Sequence, residues 1–112
     1  MGAIFKLYFE AKEESLDSNC MLRLTHILSS IGDIQTSEIK RYWKIPEYLE
    51  IVFSLKNVSD TDKIASSFLD TFGSSWEKNQ GFGEIAFIWN QKREQRSHFD
   101  SRIRWMNLEL FL

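Results

Sequence analysis

Arg102-Ile103-Arg104-Trp105-Met106-Asn107-Leu108-Glu109-Leu110-Phe111-Leu112 reads as one strand along its whole length. Arg102, Arg104, Met106, Leu108, Leu110 and Leu112 fall on one side of an extended chain, and Ile103, Trp105, Asn107, Glu109 and Phe111 on the other. A period of two is the repeat of a β-strand. Chain ends fray unless something ties them down, so an apolar run in this position is expected to pair as a strand against the core. Met106, Leu108 and Leu110 should anchor there, while Trp105 and Phe111 lie under a loop or face a partner.

Residues 3–11 repeat the pattern, with Ala3, Phe5, Leu7, Phe9 and Ala11 on one face and Ile4, Lys6, Tyr8 and Glu10 on the other. Asp17 or Ser18 then offers a helix cap, and Met21, Leu24, Ile27, Leu28 and Ile31 follow at helical spacing until Gly32. Two β-rich runs from Ile34 to Lys56 flank Ile45-Pro46-Glu47, which reads as a hairpin turn. Alternation through the first run points Trp43 to the core with Ile39 and Ile45; the second buries Leu49, Ile51, Phe53 and Leu55. Asn57-Val58-Ser59-Asp60-Thr61 is rich in caps, and Ile64, Phe68, Leu69 and Phe72 form a second helix that stops at Gly73. Residues 74–83 read as a loop around Trp76, residues 84–90 as a strand, and residues 91–101 as a polar, mobile loop. The order β-α-β-β-α-β-β predicts one α+β domain over residues 1–112. Its antiparallel sheet carries two helices on one face, in the split βαβ (ferredoxin-like) type, with an extra C-terminal strand.

With 112 residues and 43% hydrophobic content, the chain has the size and apolar content of one domain with a single core. Sixteen acidic against fourteen basic residues leave a net charge of −2, too small to advertise nucleic acid or an anionic membrane as a partner. The single cysteine, Cys20, has no intramolecular disulfide partner, which suits the reducing cytoplasm. No run approaches a membrane span, the first residues lack the pattern of a secretion signal, and Lys6 stands where a myristoylation start wants Ser or Thr. A cytoplasmic protein, free of membrane, is therefore expected.

Catalytic chemistry finds little to work with. His26 and His98 are candidate bases, but Cys20 and His26 lie six positions apart and occupy different faces of a helix. No Cys-x-x-Cys, His-x-x-x-His or carboxylate cluster has metal-ligand spacing, so no enzyme, metal or cofactor is expected. Gln80-Gly81-Phe82-Gly83-Glu84-Ile85-Ala86-Phe87 partly matches the RNA-recognition core pattern. Gln80 replaces the cation that would hold a phosphate, and Glu84 puts a negative charge where a base should stack. The glycines are accordingly read as punctuation of a strand.

A sheet with helices on one face should alternate apolar-in with polar-out residues. Tyr8, Tyr42, Tyr48, Val52, Trp105 and Phe111 break that rule on the open face. Either the extra strand, the 91–101 loop or a second copy covers them, or they form a protein-binding surface, for which Tyr, Trp and Arg are the usual anchors. Arg41-Tyr42-Trp43-Lys44-Ile45-Pro46-Glu47-Tyr48-Leu49-Glu50 concentrates aromatics and charge around one turn. Glu38, Tyr42, Glu47, Tyr48 and Glu50 are the candidate contact residues, with Glu47 and Glu50 placed to meet a basic partner. The chain is expected to be a monomer or a weak homodimer.

Arg41-Tyr42-Trp43, Tyr48-Leu49-Glu50-Ile51-Val52-Phe53, Phe72-Gly73 with Trp76, Ala86-Phe87-Ile88-Trp89-Asn90, and Phe99-Asp100-Ser101-Arg102-Ile103-Arg104-Trp105-Met106-Asn107-Leu108-Glu109 form one series of segments. Together they resemble small bacterial immunity proteins of polymorphic toxin systems, including those of contact-dependent growth inhibition. The resemblance spans about residues 38 to 112, and its last segment is the most specific. It implies a cytoplasmic, non-catalytic toxin inhibitor that binds the C-terminal domain of its cognate toxin, commonly a nuclease, and blocks the active site or substrate groove. A non-catalytic structural or regulatory interaction domain is the alternative, followed by an RNA-binding domain.

Overall fold

Phe5, Leu7 and Phe9 are fully buried while Ile4, Lys6 and Tyr8 stay partly exposed, so strand β1 (Gly2–Glu10) has one face sealed and one face open. The computed structural model describes residues 1–112, the side chain of Ser66 excepted. Asp17 accepts from the Cys20 amide at 3.4 Å and caps α1 (Ser18–Ser29), whose Cys20, Leu24 and Leu28 are buried. Strands β2 (Asp33–Arg41) and β3 (Tyr48–Lys56) follow as an antiparallel hairpin. The second helix, α2, runs over residues 61–72, with Asp60 as its cap and Ile64–Phe68 wound as a π-helix. Ile64, Phe68, Leu69 and Phe72 are buried, and Phe5 packs edge-on against Phe68 at 5.4 Å and Phe72 at 5.0 Å.

Three more strands complete the chain: β4 (Glu77–Gly81), β5 (Glu84–Asn90) and β6 (Ile103–Phe111). All six strands form one antiparallel sheet in the order β2-β3-β1-β6-β5-β4. The apolar sides of both helices join the buried side of this sheet in a single hydrophobic cluster. No described helix is long and apolar enough to cross a membrane.

Three expectations need correction. Residues 74–83 are not simply a loop, because Glu77-Lys78-Asn79-Gln80-Gly81 pairs with β5 through a two-residue Phe82-Gly83 turn. Gly83 takes φ 80°, which glycine adopts readily and other residues resist. Every residue of β4 is exposed, so no apolar alternation marks it in the sequence. The terminal strand is also not extra to the sheet: β6 lies between β1 and β5. Finally, strict alternation fails at its start. A register shift opposite Tyr8 and Phe9 makes Arg104 an extra residue, so Ile103 and Met106 both reach the core while Trp105 turns to the open face.

Residues 97–99 of the 91–101 loop dock on the helix side of the sheet, and only Gln91 and Lys92 stand at the margin of the open face. The Ser97 hydroxyl and the His98 amide both donate to the Phe72 carbonyl. The Phe99 ring lies 5.3 Å from that of Phe72, and the Arg23 guanidinium stands 4.4 Å from the Phe99 ring centroid. Glu94 accepts from the Trp89 indole at 2.8 Å, the Ser74 amide at 3.0 Å and the Ser74 hydroxyl. Gly73 permits this junction, since a Cβ there would stand 2.5 Å from Trp89 Nε1.

Burial alone would push the Glu94 carboxyl up, but hydrogen bonds from Ser74 and Trp89, with His98 nearby, hold it down to about 2. A folded-state value below the ordinary 4.5 means that this stabilisation is present above about pH 4.5 and is lost as pH falls toward about 2. Glu94→Gln is expected to cost about 1–3 kcal/mol at neutral pH and to flatten the acid limb of stability. Chemical unfolding followed from neutral to acidic pH checks both effects.

Candidate functional site

The sheet pairings bring one set of aromatic side chains together on the helix-free face. Tyr8 lies opposite Glu50 on β3 and opposite Trp105 on β6, while Trp105 lies opposite Asn90 on β5. The turn after β2 closes through the Tyr42 amide donating to the Tyr48 carbonyl at 2.8 Å and the Tyr48 amide donating to the Ile45 carbonyl at 2.9 Å. That turn brings the Tyr42 ring edge-on against Tyr8, with centroids 4.8 Å apart. The result is a cleft of about 530 Å³ walled by Tyr8, Tyr42, Ile45, Tyr48 and Trp105, with Asn90, Gln91, Lys92 and Arg104 at its polar margin. This is the size and composition of a ligand or side-chain pocket.

The polar groups around the cleft are held in place from below. The Tyr8 hydroxyl donates to Glu50 Oε2 at 2.7 Å, and Lys40 Nζ stands 3.5 Å from the other Glu50 oxygen. Burial first, then the Glu50 hydrogen bond and charge, push the Tyr8 hydroxyl well above the ordinary tyrosine value, so it stays a neutral donor. Arg104, the bulged residue, donates to Glu10 at 2.9 Å and to the Ser101 carbonyl at 2.7 Å. Arg41 donates to the carbonyls of Ala11, Lys12 and Glu13, tying the β1–α1 connection to the end of β2. Between these two arginines lies a second depression of about 620 Å³ that gathers Glu10, Glu14 and Glu47.

The candidate contact residues divide into three groups. Tyr42 and Tyr48 are half-buried walls of the cleft. Glu38 and Glu47 are exposed, Glu38 on the outer strand and Glu47 in the turn. Glu50 is 8% exposed and engaged with Tyr8 and Lys40, so it positions the cleft floor from behind. Trp43 and Ile45 do not enter the core: they are 77% and 39% exposed. The β-pairing ends at Arg41, and the turn reorients the chain before alternation would bury them. Only the Pro46 punctuation, weighed against the alternation, signalled this in the sequence.

Cys20 and His26 do not come together as a nucleophile and base. Cys20 is buried and His26 is exposed on α1. Ser74, Glu94 and His98 form a chain, but the carboxylate sits in the middle and takes the serine proton donor itself, while His98 Nδ1 faces the Asp70 carbonyl. Among the described residues no group of three or more His, Cys, Asp or Glu side chains is arranged to hold a metal. The glycine pattern of residues 80–87 lies across the β4–β5 hairpin at the sheet edge, with Phe82 fully exposed at its tip. Compared with known proteins, the chain matches no family model, no curated protein and no solved structure.

Proposed function

We propose that this chain is a bacterial immunity protein. In this reading it is a cytoplasmic, non-catalytic inhibitor that binds the C-terminal toxin domain of its own system, a nuclease, and blocks the active site or substrate groove. The observation that carries the reading is the bare aromatic cleft with the Trp43 turn beside it. Exposed apolar clusters of this kind mark interaction surfaces, and Trp and Tyr are the residues that most often dominate binding energy. Tyr42, Tyr48, Glu38 and Glu47 serve as contacts, Trp43 joins them as the projecting anchor, and Glu50 fixes Tyr8 beneath. Support for the split βαβ (ferredoxin-like) type comes from the segment β2-β3-β1-β6, with helices after β1 and β3. The β4–β5 hairpin is then an addition before the last strand.

An immunity role implies a toxin gene beside the one for this chain, and co-expression with that toxin's C-terminal domain tests the function. Restored growth and copurification of a stoichiometric complex are the expected outcome. Unprotected growth with no complex would remove the reading. Capture of a host regulator by the same face, with the toxin ignored, would instead favour a regulatory interaction domain.

A further inference from the structure

The sequence places acidic residues at the turn and suggests a basic partner, but the charge inside the cleft has the opposite sign. Its margin carries two cations, Lys92 and Arg104, and no carboxylate lines it. Glu50 does not line the cleft: it lies behind Tyr8, accepting from its hydroxyl, and its charge is offset by Lys40. Glu10, Glu14 and Glu47 collect in the neighbouring depression, on the far side of Arg104. Arg104 is already engaged with Glu10 and the Ser101 carbonyl. Lys92 uses its backbone amide to hold the Asn90 side chain at 2.9 Å, and its ammonium makes no ion pair among the described residues.

We propose that the cleft takes an acidic anchor from the partner: a segment whose aromatic side chain seats among Tyr8, Tyr42, Tyr48 and Trp105 while an adjacent carboxylate meets Lys92. The volume of about 530 Å³ exceeds what a lone ion needs and accommodates a ring with its flanking backbone. Aromatic walls alone would also attract a cation, but a cation here would face Lys92, whose charge is not offset by an ion pair among the described residues, whereas Arg104 is already paired with Glu10. A carboxylate at the same place gains the Lys92 charge and the polar side chains of Asn90 and Gln91. The identity of the partner rests on the immunity reading; the charge preference of the cleft does not.

Three small probes share an indole and differ in charge: N-acetyltryptophan is anionic, N-acetyltryptophanamide neutral and tryptamine cationic. Titrated into the full-length, isotope-labelled chain and followed by NMR, the anionic probe should saturate shifts at the Trp105 indole and the amides of residues 90–92. It should bind roughly threefold more tightly than the amide, the yield of one exposed ion pair, with tryptamine weakest. Lys92→Ala should erase the difference between anion and amide while leaving the amide's affinity in place. Equal affinities, tryptamine binding tightest, saturation elsewhere on the surface, or no saturable shift would each overturn the proposal. No toxin enters this titration, so its failure removes the acidic anchor and leaves growth protection to be decided by co-expression. Failed protection, conversely, removes the immunity reading and leaves the charge preference standing.

Discussion

A chain truncated after Ser101 is expected to lose its cooperative unfolding transition. Strand β6 pairs with β1 on one side and β5 on the other, so its removal splits the sheet into β2-β3-β1 and β5-β4. It also withdraws Ile103, Met106, Leu108 and Leu110, each 0% exposed. Deleting one buried aliphatic side chain down to alanine costs about 2–5 kcal/mol. Four such losses approach or exceed the whole stability of a small domain, about 5–15 kcal/mol. The graded version is Leu108→Ala, which faces Phe5 and Phe87 across the two pairings and should cost about 2–5 kcal/mol in denaturant unfolding. A truncated chain with an intact two-state transition, or a Leu108→Ala cost below about 1 kcal/mol, would contradict a central β6.

Much of this arrangement was legible because the core strands alternate cleanly. Ala3, Phe5, Leu7 and Phe9, like Leu49, Ile51, Phe53 and Leu55, are buried as their period of two requires. Helix α1 began at Asp17 because a short side-chain acceptor was available for the free amides of its first turn. What escaped reading had a local physical cause each time. Strand β4 contains only polar residues and glycine, since an exposed edge strand buries neither face and needs no apolar code. The bulge at Arg104 inverts the facing of one end of β6 through backbone pairing that side-chain pattern does not encode. The position of β6 in the middle of the sheet follows from long-range pairing with β1, which no segment of sequence states alone.

The candidate site was legible in kind rather than in detail. Tyr8, Tyr48 and Trp105 stood out as aromatic residues on a face that should have been polar, and their strands do meet there. Trp43 was misplaced because alternation was carried past the point where the β2–β3 pairing ends. Glu50 looked like a free surface acid, yet Tyr8 and Lys40 occupy it. Lys92 read as one cation of an ordinary mixed-charge face; its place in the cleft with Trp105 arises only when β5 pairs with β6.

Trp43→Ala is expected to leave the fold intact and to abolish tight binding. Nothing in the core depends on this side chain: it is 77% exposed, with Lys44 Nζ 5.1 Å from its ring and the Tyr42 ring 6.4 Å away. An exposed substitution of this kind shifts stability by no more than about 0.5 kcal/mol. As a projecting anchor at a protein interface, the same tryptophan should contribute at least about 2 kcal/mol, or roughly a thirtyfold change in Kd. The two readouts therefore separate a binding role from a structural one.

The most direct measurement is a calorimetric titration of the intact chain and Trp43→Ala, side by side, against the toxin C-terminal domain that the immunity proposal assigns as its partner. The account predicts a one-to-one complex for the intact chain and affinity at least about thirtyfold weaker for Trp43→Ala, with unfolding midpoints that coincide. Absence of a complex with the intact chain, or equal affinity of the two proteins, would contradict it.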